Sequence, residues 1–149
     1  MSVSKLLSRL RDARRSGVYR VPQADEVLDA VRGSELDVAR IDLSATSDKE
    51  QLLAQFASSL AFPHWFGRNW DALEDCLSDL AWRGGDGHVL LIGGFDELRA
   101  SRPDDFGVLL DILASSAQYW RERGKPFFVA FVDHTRSLAL PDLFRVRSA

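Results

Sequence analysis

The sequence predicts an α/β fold: a small, mainly parallel sheet of three to four strands packed against helices in a single domain. Three observations carry this. Runs 89–92 and 127–132 are apolar without alternation, as strands covered on both faces are. The segments before and between them place apolar residues at helical spacing, and strands separated by helices pair in parallel. The 149 residues are 46% hydrophobic and 28% charged, the composition of an average globular domain. A chain of that length buries about 68–70% of its unfolded surface, enough to hold a core without metal or disulfide.

In chain order, Val3, Leu6, Leu7, Leu10 and Ala13 predict an amphipathic helix ending near Gly17, with a solvated basic face. Residues 17–21 read as a short strand. After Pro22, the set Ala24, Val27, Leu28 and Val31 marks a helix that Gly33 terminates. Residues 38–43 alternate apolar and polar, as a strand does. Ser47 and Glu50 form a capping box for a helix with the stripe Leu52, Leu53, Phe56 and Leu60, which stops before Pro63. Asn69 is an N-cap, and Leu73, Cys76, Leu77 and Leu80 at i, i+3, i+4 and i+7 carry the next helix through Leu80. Gly84, Gly85 and Gly87 turn the chain into a strand at 88–92. Phe106, Leu109, Leu110, Leu113 and Ala117 predict a long helix that Gly124 ends, and a strand follows at 127–132. The chain divides into an N-terminal extension (1–35) packed on the core, a core (36–135) and an irregular covering tail (136–149).

Composition also restricts function. The single cysteine, Cys76, makes no internal disulfide, which fits a reducing cytoplasm. The longest apolar runs fall far short of the roughly 20 residues of a membrane crossing, and no signal peptide is expected where arginines interrupt the apolar residues. The net charge of −3 is uneven: six basic residues against Asp12 alone put +5 on residues 1–20, which leaves −8 on residues 21–149. That acidic body disfavours nucleic acid and favours a basic partner.

The stretch 62–80 concentrates the unusual residues. On a helix, Asp71, Asp75 and Asp79 drift only about 40° per step and form one carboxylate stripe, widened by Glu74, while the leucines and Cys76 take the core side. Asp71 in the first turn suits the helix dipole. Asp75 and Asp79 do not: aspartate is a weak helix former, and like charges at i, i+4 repel. Repeated small costs at one place point to a role other than stability. Before the helix, Trp65, Phe66 and Gly67 lie on a connection, where large rings either plug the core or meet a partner. Gly67 reads as a turn residue.

Pro63, Trp65, Phe66, Gly67, Asn69, Asp71-Ala72-Leu73 and Asp75-Cys76-Leu77, in uninterrupted register, resemble the barstar family, intracellular inhibitors of barnase-type ribonucleases. The order of strand, two helices, strand, helix and strand from Leu36 to Asp133 is similar to the family's too. The resemblance implies a barstar-like fold and an inhibitor that plugs a ribonuclease active site. Asp75 would enter the phosphate-binding site, Asp71 would pair with nearby basic residues, Trp65 would cover the catalytic histidine, and Gly67 and Asn69 would add loop contacts. The chemistry is reasonable, because groups that bind phosphodiesters also bind a rigid array of carboxylates. Glu74 stands where the family has tryptophan and Arg68 where it has an acidic residue, which implies a different partner surface.

The expectation is therefore a monomeric, cytoplasmic inhibitor of a basic, extracellular-type ribonuclease, without enzymatic activity, cofactor, metal, nucleic acid or membrane. Its partner surface would comprise Trp65, Phe66, Gly67, Asn69, Asp71, Glu74, Asp75 and Asp79. The alternatives are a small metal-dependent hydrolase using the same carboxylates and a barstar-like adaptor for a non-nuclease protein. His64, His88 and His134 lack the spacing of metal ligands, Cys76 reads as a core thiol, and the glycines fit neither dinucleotide nor P-loop spacing.

Overall fold

The computed structural model describes residues 2–64 and 66–144. Four parallel strands, β1 (Gly17–Val21), β2 (Asp37–Asp42), β3 (His88–Gly93) and β4 (Phe127–Val132), form one sheet in the order β1-β4-β3-β2. Among the described residues six α-helices flank it: α1 (Val3–Leu10), α2 (Asp25–Val31), α3 (Lys49–Leu60), α4 (Trp70–Leu77), α5 (Asp96–Ser101) and α6 (Pro103–Glu122). The predicted fold class is the observed one. None of these helices is long and apolar enough to cross a membrane.

The two apolar central strands explain the layering. β3 and β4 send alternate side chains to opposite faces, and both faces are covered. Ala39, Ile41, Leu90, Ile92, Phe127, Val129 and Phe131 pack against α3, α4, α5 and α6. Val21, Val89, Leu91, Phe128 and Ala130 pack against α1 and α2. α4 and the basic leading helix thus lie on opposite faces of the sheet.

Several predicted boundaries move for local reasons. The first helix ends at Leu10, and a short 3-10 turn at Ala13–Arg15 fills the interval before β1, started by the Asp12 side chain accepting the Arg14 amide. The capping box shifts by one residue. Asp48, not Ser47, is the N-cap of α3; it accepts the Gln51 N–H at 2.8 Å, while the Gln51 side chain takes the Ser47 amide and hydroxyl. α5 has no counterpart in the sequence reading, because it is six residues long with Leu98 as its one buried residue and shows no periodicity.

The two edges of the sheet differ. Along β1, the Arg20 N–H donates to Pro141 O at 2.9 Å, and Leu143 N–H donates to Arg20 O at 3.0 Å, so the tail seals this edge. Asp133, at the end of β4, accepts both the Ser137 and Leu138 amides and fixes where the tail departs. Burial opposes ionisation of Asp133, but these amides and the Ser137 hydroxyl together hold its carboxyl below the usual range. β2 forms the other edge, where Asp37, Arg40 and Asp42 supply the charge that discourages strand addition.

Candidate functional site

α4 begins where the sequence predicts. Asn69 is extended at φ −136° and its Oδ1 accepts the Ala72 N–H at 2.7 Å, satisfying one of the orphan amides of the first turn. Leu73, Cys76 and Leu77 are fully buried against the core, and Asp71 and Asp75, one turn apart, are exposed on the outer side. Glu74 is half-buried beside them. None of these three carboxylates forms an ion pair within the chain among the described residues.

The carboxylate stripe is shorter than the spacing predicts. α4 stops at Leu77, and Asp79 lies beyond it in a turn. The cause is the burial of Leu80, which takes the left-handed conformation (φ 51°), reverses the chain and returns its N–H to Cys76 O at 3.2 Å. The Trp120 indole N–H on α6 donates to Leu77 O at 2.8 Å and fixes this terminus against the core. Asp79 is exposed, and its carboxylate accepts the Ala81 N–H at 3.3 Å, a local turn contact. Two aspartates, not three, share the helical face.

The preceding loop is an aromatic ledge. Phe66 is half-buried and meets Phe62 edge-on with ring centroids 4.9 Å apart; Phe62 in turn meets Trp82 edge-on at 6.0 Å. Trp65 lies outside the described residues. Gly67 is exposed, yet its backbone is not left-handed, and a Cβ there would make only ordinary contacts, 3.4 Å to Asn69 Nδ2 and 3.7 Å to Ala72 Cβ. The left-handed residue of this loop is Arg68, at φ 51°. The turn requirement read onto Gly67 therefore falls on its neighbour, and the fold does not demand glycine at 67.

The reactive-looking side chains elsewhere are tied into the scaffold. Cys76 is buried, and burial, reinforced by the charges of Asp75 and Asp79, pushes its thiol up to about 11. His88 is buried at the start of β3 with Nδ1 2.8 Å from Asp37, whose carboxylate also receives a two-pronged contact from Arg83 at 2.7 and 3.0 Å. Burial, opposed by Asp37, lowers the His88 pKa. The sequence carried no signal for this cluster, since its members lie 46 and 51 residues apart. A groove of about 540 Å³ at the carboxyl ends of β2, β3 and β4, lined by Arg40, Asp42, Gly93 and His134 among others, includes no residue of α4. The outer side of α4 thus presents exposed carboxylates, with the half-buried rings of Phe62 and Phe66 in the segment before it.

A family model described as Barstar (barnase inhibitor) matches residues 36–132. The chain belongs to the barstar family. The match runs from the start of the β2 region to the end of β4 and contains α4 and the aromatic loop; α1, β1 and α2 lie outside it. No curated protein is significantly similar to the chain. The family is described by an inhibitor of barnase.

Proposed function

We propose that the protein inhibits a basic, extracellular-type ribonuclease by inserting the outer face of α4 and the loop before it into the enzyme's active site. The observation that carries this reading is the pair Asp71 and Asp75, exposed one turn apart on a capped, core-anchored helix of a barstar-family domain and without ion partners among the described residues. A phosphodiester site lined by cations accepts such carboxylates as a phosphate mimic, and a rigid helix presents them at little cost in lost freedom. In this reading Asp75 is the anchor, Asp71 pairs beside it, and Glu74, Phe66, Gly67 and Asn69 complete the contact together with Trp65. The absence of conformational need for glycine at 67 fits close approach of the enzyme to that backbone.

The inhibitor acts as a monomer in the cytoplasm and performs no chemistry of its own. A metal-dependent hydrolase lacks comparable support, as no three His, Cys, Asp or Glu side chains converge to hold an ion among the described residues. RNA cleavage by barnase-type ribonucleases, titrated with the purified protein, tests the proposal. Cleavage should fall to zero near one inhibitor per enzyme; undiminished cleavage by every basic ribonuclease tried would overturn it.

A further inference from the structure

Trp82 is held in an unusual way for a surface residue. It and Val3 are the large hydrophobic residues exposed among the described residues, and 36% of Trp82 is open. Its mount is nonetheless rigid. The indole N–H donates to Leu60 O at 2.9 Å, at the end of α3, and the ring meets Phe62 edge-on. The next residue, Arg83, is locked to Asp37 by two hydrogen bonds, so the chain on that side is fixed as well. Scattered surface apolar residues are ordinary, but an exposed tryptophan already ordered by its own fold loses little freedom on binding.

Its surroundings indicate what it would meet. Phe62 links Trp82 to Phe66, so the exposed ring continues the ledge that leads into Asn69 and the carboxylates of α4. Other rings of the chain already hold a cation: Lys49 lies 5.6 Å from the Trp70 ring, Lys125 5.9 Å from Trp120 and Arg123 3.5 Å from Tyr119. Trp82 has none among the described residues. An exposed indole on the aromatic ledge that leads into the carboxylate helix attracts a guanidinium or ammonium.

We infer that Trp82 is part of the inhibitory surface and receives an arginine or lysine from the rim of the ribonuclease active site. This rests on the inhibitor reading and extends the contact beyond α4 to the segment that follows it. The test measures inhibition of barnase-type ribonucleases by wild type, Trp82→Ala, Trp82→Gln and Asp75→Ala, each first checked by circular dichroism for a native fold. Glutamine keeps an N–H within reach of Leu60 O while removing the ring, so it decides the matter if the alanine variant fails to fold. Both Trp82 variants should weaken inhibition about tenfold. Normal inhibition by Trp82→Gln, with Asp75→Ala impaired, overturns the role of Trp82 and leaves the inhibitor reading standing. No inhibition by wild type overturns both.

Discussion

Asp75 and Asp79 looked equivalent as members of one i, i+4 series, and their surroundings separate them. Asp75 projects from the body of α4, while Asp79 follows the helix and accepts the Ala81 amide. Asp75→Ala should leave the thermal transition in place, since the residue is exposed, yet weaken ribonuclease binding on the order of 100-fold or more. Asp79→Ala should change binding far less; equal losses in a titration of RNA cleavage would restore the three-aspartate stripe. Cys76, between them in sequence, supplies a pH test. Its thiol is raised from 9.0 to about 11 in the fold, so the group contributes its full stability below about pH 9. Above that the unfolded chain ionises first, and stability falls until the pH passes about 11. Urea denaturation across this range should show the decline, and a thiol reagent should remain inert towards the folded protein at neutral pH.

At the scale of elements, the site is a helix whose position depends on its ends. Asn69 closes one end and the Trp120 indole the other, and the buried leucines set which side faces out. Asn69→Ala should cost about 1 kcal/mol of stability by leaving the Ala72 amide without its cap. Asn69→Asp preserves the acceptor and should recover most of that in a denaturant titration. The start of α4 was legible because a cap and a periodic stripe are both local signals. Its end was not, because Leu80 keeps the helical spacing of a buried residue while adopting a left-handed conformation, and the partner of Leu77 O is 43 residues distant. The shifted cap of α3 has a similar origin: Ser47 and Asp48 are both capable acceptors, and the chain uses the second. β3 and β4 were legible from their unbroken apolar runs, whereas α5 buries too little to leave a pattern.

For the whole molecule, the uneven charge seen along the chain becomes an arrangement in space. Leu6 and Leu10 seat α1 on one face of the sheet and Leu73 and Leu77 seat α4 on the other, so the sheet separates the leading helix from the acidic one. Part of that basic charge is also neutralised locally, by Arg11 on Glu35 at 2.7 Å and Arg14 on Asp12 at 3.0 Å. On the proposed inhibitor reading, a basic ribonuclease approaching α4 meets the acidic helix while the leading helix lies on the other face, an arrangement that steers encounter without opposing it. The association rate, followed by stopped-flow fluorescence, should fall steeply between low and physiological salt, where the screening length shortens to about 8 Å. Dissociation should respond much less, because desolvated contacts are poorly screened. Replacing Lys5, exposed on α1, with glutamine removes charge on the far face and should leave the association rate nearly unchanged, whereas Asp71→Asn should slow it. A faster rate in the Lys5 variant, or a rate indifferent to salt, would mean that the two faces are not electrostatically separate.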